Sequence, residues 1–228
     1  MSVVALARDL GSTRHSVLDV LSDHLQVVWG ALVAFVVVML LTPAVGGMAR
    51  LLGVVDTPGG RRLNLRPVPR LGGLALFLGI LVPSLAFLPL GGELRGVVLG
   101  AAVATTVGAI DDLRHLPWWQ KLGGQVIAAA IPAGFGIYLH TFTFPVVGRQ
   151  VVPHWLGSTV TVLGIVAVMN MVNFLDGLDG LAAGVCAISG LTFCVIELSR
   201  GRIGAAVLAA IVFGASLGFL RHNFYPAR

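Results

Sequence analysis

The chain has 228 residues, of which 57% are hydrophobic and only 11% charged, with a mean hydropathy of +0.94. A soluble domain carries roughly 25% charged residues, and a large core does not remove the need for polar cover, so a water-soluble globule is excluded and a polytopic membrane protein is expected. The net charge of +5 comes from 14 Arg and a single Lys, Lys121; in such a chain it asks on which side of the bilayer the cations lie, and no nucleic-acid partner is expected.

Residues 1–24 mix Arg8, Asp9, Arg14, Asp19 and Asp23 with apolar residues. They lack the uninterrupted apolar stretch of a cleavable leader. A short interfacial helix or a tail is expected there, ahead of a membrane domain over 25–228. A span needs about 20 mostly apolar residues. Seven stretches qualify: 25–49, 73–90, 94–110, 121–139, 157–175, 181–198 and 203–220. Between the fourth and fifth, TFTF, then PVVGRQ, then VV show period-2 alternation around a Gly-containing turn, which predicts a small β-hairpin near 141–153. The expected fold is therefore all-α and polytopic, with about seven transmembrane helices and one outer-side hairpin. Cys186 and Cys194 fall in one apolar stretch and are read as buried free thiols.

Orientation follows from Arg and Lys in short loops. One side holds Arg50, Arg61, Arg62, Arg66, Arg70, Arg114, Lys121, Arg221 and Arg228. The other holds Arg95, Arg149, Arg200 and Arg202, with Arg8 and Arg14 of the tail. The richer side is expected to be cytoplasmic and the N-terminus outside, in a multi-pass protein of the plasma membrane. Asp56, Asp111, Asp112, Asp176 and Asp179 all fall on that same richer side, and no acid sits mid-span. This is the layout of an active site at the cytoplasmic membrane surface.

Four segments carry the chemistry. DTPGGRRLNLRPVPRLGG, 56–73, interleaves Arg61, Arg62, Arg66 and Arg70 with Pro67 and Pro69. Prolines stiffen the backbone, and guanidinium groups make bidentate contacts to phosphate oxygens, so the loop suits a phosphate-bearing ligand. DDLRHLPWWQK, 111–121, places Asp111 and Asp112 at the end of the third span. Adjacent carboxylates repel unless a cation lies nearby, and Mg²⁺ is typically held by one or two carboxylates plus substrate phosphates. Trp118 and Trp119 read as interfacial anchors and His115 as a surface residue. VMNMVNFLDGLDGLAAG, 168–184, spaces Asn170, Asn173, Asp176 and Asp179 three apart, so all four share a face if the fifth helix continues through them. Gly177 and Gly180 allow a turn or the close approach of a ligand. RHNFYPAR, 221–228, brings Asn223 to the same side.

Together these segments resemble, in order and spacing, the N-terminal signatures of the polyprenyl-phosphate N-acetylhexosamine-1-phosphate transferases, glycosyltransferase family 4. The likeness runs from about residue 25 to the end. The PVPRLGG form is closer to the branch that transfers GlcNAc-1-phosphate to undecaprenyl phosphate than to the phospho-MurNAc-pentapeptide branch. Two departures stand out. Where the family commonly has Arg-Lys-x-His, this chain has Arg61-Arg62-Leu63-Asn64, which keeps the charge and loses the imidazole. The family also continues past a segment like HNFYPAR into a Gly-Asp-Ser-Gly loop and further spans. The chain is thus expected to be an N-terminal fragment of a complete enzyme, and to be inactive by itself.

The resemblance implies that a UDP-N-acetylhexosamine and a polyprenyl phosphate give a polyprenyl-diphospho-N-acetylhexosamine and UMP, at the first membrane step of cell-envelope glycan synthesis. It implies Mg²⁺, admits Mn²⁺ in its place, and admits a homodimer. Under it, Asp111 and Asp112 are the catalytic pair, one orienting or deprotonating the lipid phosphate and one near the metal. Asn173 and Asp176 are metal or diphosphate ligands. Asn170 and Asp179 orient the nucleotide-sugar, Arg61, Arg62, Arg70 and Lys121 hold phosphates, and Asn223 joins the substrate-binding set. Direct attack and a covalent aspartyl intermediate are both open. Two rivals are weaker. UbiA-type prenyltransferases space their motif Asn-x-x-x-Asp-x-x-x-Asp, against Asn173-x-x-Asp176-x-x-Asp179 here. Transporters place ionisable groups near the bilayer midplane, and these spans are clean.

Overall fold

The computed structural model describes residues 25–56, 68–69, 71–144, 146 and 148–225. Seven helices occur among them: α1 Leu25–Leu51, α2 Gly72–Phe87, α3 Gly92–Arg114, α4 Trp118–Gly134, α5 His154–Leu175, α6 Leu181–Ser199 and α7 Ile203–Asn223. Five are long and apolar enough to cross a membrane: α1, α3, α5, α6 and α7. The seven expected spans are all helical, but α2 has 16 residues and α4 has 17. At 1.5 Å per residue each covers about 25 Å, short of a hydrocarbon core of about 30 Å. Seven spans is therefore a slightly generous count. The chain is a multi-pass membrane protein.

Local chemistry explains the helix ends. After α1, Gly53 takes a left-handed φ of 70°, and Val54 N–H reaches back to Ala49 C=O at 2.8 Å. That is a Schellman stop, for which glycine has no Cβ penalty. Prolines 117 and 153 stand just ahead of α4 and α5, where a missing N–H costs nothing. Inside α1, Pro43 cannot donate to the Met39 carbonyl four residues back. His222 of α7 meets that carbonyl at 3.0 Å through Nε2.

Helix α7 lies at the centre. Ala206, Val207, Ala210, Ile211 and Ala215 pack with Val27, Ala34 and Val38 of α1 and with Cys194 and Leu198 of α6. The approach of α1 and α7 is close enough that a Cβ on Gly218 would lie 2.5 Å from the Phe35 carbonyl oxygen. Small residues at such seams are how membrane helices pack without a hydrophobic driving force between them. Helix α2 joins this group through α1 and α7, while α3, α4 and α5 pack in chain order beside it. Cys194 is buried, Cys186 is half-buried, and both are free thiols.

Two short antiparallel pairs complete the fold. β1 (Val55–Asp56) pairs with β2 (Val68–Pro69), closing the base of the Arg-rich loop; the sequence patterning had not suggested strands there. β3 (Thr141–Phe144) pairs with β4 (Gly148–Val151), the expected hairpin. It lies at the end of the bundle opposite to the ends of α3 and α5. A second small core of Val45, Ala49, Val54, Leu71 and Ala75 touches Ala109 of α3. It fixes the start of α2 against the end of α3.

Candidate active site

Alternation of the helices brings the ends of α3, α5 and α7 and the starts of α2, α4 and α6 to one end of the bundle. The polar residues singled out in the sequence meet there. Lys121, in the first turn of α4, pairs with Asp111 of α3 at 2.9 Å and donates to Asn173 Oδ1 of α5 at 3.3 Å. Asp111 also accepts from Leu116 N–H at 3.0 Å. The ammonium thus ties three helices together, and both Asp111 oxygens are in use.

Asp112 does something sequence spacing does not reveal. Its Oδ2 accepts from the backbone N–H of Leu71 at 3.3 Å. Leu71 is the N-cap of α2, holds a left-handed φ of 62° and offers no side-chain cap of its own. The orphan N–H groups and positive dipole end of a helix favour an anion, and α3 supplies one. A bulky residue in this conformation costs about 1–3 kcal/mol, which its burial in the small core beside Val54 and Ala75 offsets.

Helix α5 does not continue through all four Asn and Asp positions. It ends at Leu175, and Asp176 is its C-cap. Residues 176–180 form a turn into α6, with Gly180 at a φ of 74°. Asn170 and Asn173 keep helical register, Asp176 sits at the helix end, and Asp179 leaves the helical face for the turn. The turn is pinned from α7: Asn223 Oδ1 accepts from Gly180 N–H at 2.9 Å. Asn223 is therefore a cap on the start of α6, its amide oxygen spent on the backbone.

The electrostatics converge on Asp112 and Asp176. Burial first, and the Asp112 charge second, push the Asp176 carboxyl above its ordinary value. Asp176 is nonetheless open to solvent, as befits the C-cap of a helix at the bundle end. Carboxylates that oppose each other's charge at one end of a bundle are eased by a nearby cation. Among the described residues no three His, Cys, Asp or Glu side chains gather as a self-sufficient metal site. The donors present are carboxylate and amide oxygens, which suit a hard cation such as Mg²⁺ that keeps waters and shares substrate phosphates.

Asn170 pairs reciprocally with Gln125 of α4. Asn170 Nδ2 donates to Gln125 Oε1 at 2.8 Å and to Val166 C=O at 2.8 Å, and Gln125 Nε2 donates back at 3.5 Å. Gln125 was missed in the sequence because a lone amide inside an apolar stretch carries no motif. Its spacing from Lys121, i to i+4 on one helix face, was the available signal. Arg61, Arg62 and Arg70, with Arg66, lie outside the described residues. Only the base of their loop is placed, by the β1–β2 pair and by the bond from Leu71 to Asp112. Trp118 and Trp119 are exposed at the same end, as interfacial anchors are.

A profile described as glycosyl transferase family 4 matches residues 94–228, more than half of the chain. The chain belongs to glycosyl transferase family 4. It is 33% identical over 205 residues to the probable undecaprenyl-phosphate N-acetylglucosaminyl 1-phosphate transferase of Bacillus subtilis, covering 90% of this chain and 57% of that protein. It is 35% identical over 216 residues to the decaprenyl-phosphate N-acetylglucosaminephosphotransferase of Mycobacterium tuberculosis H37Rv, covering 86% and 54%. A phospho-N-acetylmuramoyl-pentapeptide-transferase of Moorella thermoacetica is 32% identical over 214 residues, covering 86% and 66%. The chain thus spans about half the length of the first two relatives. The family match ends with the chain and contains every described site residue except Leu71.

Proposed function

We propose that this protein transfers N-acetylhexosamine-1-phosphate, most simply GlcNAc-1-phosphate, from a UDP-sugar to a polyprenyl phosphate and releases UMP. The observation that carries the reading is the joining of Asp111, Lys121 and Asn173, from three separate helices, at the end of a membrane bundle to which Asp112 and Asp176 also belong. The relatives named for GlcNAc-phosphate transfer to polyprenyl phosphates support it.

In this reading the richer Arg side of the chain is cytoplasmic, where nucleotide-sugars are found, and the bundle sits in the plasma membrane. A phosphate oxygen of the lipid attacks the sugar-bearing phosphorus, a new P–O bond forms, and the bond to UMP breaks. A phosphate monoester with a second pKa of about 6 is mostly dianionic at pH 7, so the nucleophile needs no proton removed. Asp112 and Asp176, with the Asn173 amide oxygen, would hold Mg²⁺. When bound, Mg²⁺ neutralises the charge that builds on the diphosphate as UMP leaves. Asp111 serves by holding Lys121 in place, and Lys121 faces the phosphates. Arg61, Arg62 and Arg70 would grip the phosphate groups from the loop whose base is anchored at Asp112, and Asp179 would orient the nucleotide-sugar from the turn.

The test is UMP release from UDP-GlcNAc and undecaprenyl phosphate by the full-length, membrane-embedded enzyme, with and without Mg²⁺. Asp112→Asn is expected to lower turnover by at least about 100-fold, in the range of a lost electrostatic group at a reacting centre. Near wild-type turnover in that variant would overturn the assignment.

A further inference from the structure

We propose that Gln125 is a positioning residue of the site, acting through Asn170 to set how α5 lies on α4. It rests on the reading of the polar cluster around Asp111, Lys121 and Asn173 at this bundle end as the reacting site, and its tests separate the two.

Helix α5 leans mainly on α4 and touches α6 only slightly. Asp176 at its end is therefore placed by the α4–α5 seam. Two polar rungs cross that seam. Nearest the recess, Lys121 bonds Asn173. One turn deeper, Gln125 bonds Asn170 in both directions. The deeper rung carries the greater constraint, because Gln125 is only 8% exposed. Breaking it leaves a buried amide unpaired, a larger cost than the bond itself contributes.

The hydrogen-bond inventory of Asn170 decides what it can do. A carboxamide has two N–H donors. One goes to Gln125 Oε1 and the other to Val166 C=O, each at 2.8 Å. No donor is left for a sugar or a nucleotide. Asn170 therefore serves the site from within the seam: its second donor locks its own rotamer to α5, and its first holds α5 to Gln125. With the clasp intact, α5 has one rotation and one height relative to α4. With it broken, Asn173 and Asp176 move relative to Lys121 and Asp112.

The experiment uses the full-length enzyme in lipid nanodiscs with UDP-GlcNAc and undecaprenyl phosphate. The variants are Gln125→Leu, Asn170→Leu, their combination, and the exchange Gln125→Asn with Asn170→Gln, which rebuilds an amide pair of equal total length. Each single substitution is expected to lower kcat about tenfold with KM for UDP-GlcNAc changed less than about twofold. The combination should be no worse than the poorer single variant, as for residues acting as one unit. The exchange should recover most of the loss. A large rise in KM for Asn170→Leu with Gln125→Leu unaffected, or losses that multiply in the combination, overturns the proposal.

A second readout is independent of turnover. Spin labels at Phe174→Cys on α5 and Leu40→Cys on α1, both exposed, are placed in a chain carrying Cys186→Ala and Cys194→Ala. One narrow distance distribution is expected in the parent and a broadened or shifted one with Gln125→Leu. Unchanged distributions overturn the proposal whatever the turnover. A full-length parent enzyme that releases no UMP, with the broadening still produced by Gln125→Leu, refutes the transferase reading and leaves the clasp standing.

Discussion

Gly214→Ala tests the seam that holds α7, and with it the anchor residues His222 and Asn223, against α1. A Cβ at Gly214 would lie 2.7 Å from the carbonyl carbon and 2.9 Å from the Cα of Ala31, and closer still to its oxygen. Carbon atoms pack at about 3.5–4.0 Å, so the overlap is several tenths of an ångström or more. All three atoms belong to the α1 backbone, so no rotamer change relieves it. The helices must part by roughly 0.5–1 Å, a gap that forfeits a quarter to a half of each lining contact. Overpacking of this kind costs about 1–3 kcal/mol, and the gain in helix propensity returns up to about 1 kcal/mol. The net loss of about 1–2 kcal/mol corresponds to a fall in Tm of roughly 2–8 °C for a chain of this size. Gly164→Ala is the control, because a Cβ there meets nothing within 4 Å. It should be neutral or slightly stabilising. Thermal unfolding of both variants in nanodiscs, followed by tryptophan fluorescence, gives the comparison. Equal stability of the two variants would refute the close-seam account.

Two further outcomes are expected. Asp176→Asn removes a charge that burial and Asp112 both oppose, so the cation-free protein should unfold at a higher temperature at pH 7, while Mn²⁺ affinity followed by electron paramagnetic resonance falls at least about tenfold. The sign with pH follows from the raised carboxyl. Its stabilising contribution is full in acid, below the unfolded value, and is lost as pH rises through the folded value. Mn²⁺ affinity should rise across the same window, and a wild-type affinity that is flat there would contradict the assignment. His222→Phe leaves the Met39 carbonyl, freed by Pro43, without a donor. It should cost about 1–3 kcal/mol and His222→Gln markedly less, with equal losses in thermal unfolding counting against the proline-compensating bond.

The membrane class, the helix count and the β3–β4 hairpin were legible because each is a run pattern. Hydrophobic length locates spans, and period-2 alternation locates β3 and β4. The side of the site was legible too, since alternation of spans sends Asp111, Asp112 and Asp176 to one end whatever the packing. What the sequence could not reveal is which polar atoms are spent on the fold. Asp112 caps α2, Asn223 caps the start of α6, and Asn170 is bound to Gln125. Each partner lies more than 40 residues away in the chain and is a backbone N–H or a lone amide, neither of which carries a local signature. The four-in-register pattern over 170–179 overshot for a related reason. Helical spacing is visible in the sequence, but the helix stops at Leu175 and the chain turns over 176–180 into α6, with Gly180 left-handed and held from α7.

Charge bookkeeping across the recess leads to one more test. Asp111 and Lys121 pair at 2.9 Å and neutralise each other. Asp112, which accepts from Leu71 N–H, and Asp176 lie at the same end and add negative charge there. Lys121 has three donors; Asp111 and Asn173 use two, and the third can face a phosphate. Lys121→Met therefore acts in two opposite ways. It removes a cation near the metal and releases a third carboxylate, so Mn²⁺ should bind the variant more tightly, by about three- to tenfold for one nearby charge in a partly solvated recess. It also removes a phosphate contact and the strut between α3 and α5, so UMP release should fall by at least tenfold. Tighter cation binding with weaker catalysis is a combination that a merely misfolded site cannot produce. Looser Mn²⁺ binding in Lys121→Met would show instead that Lys121 acts by shaping the carboxylate recess, and the charge account of the site would fall.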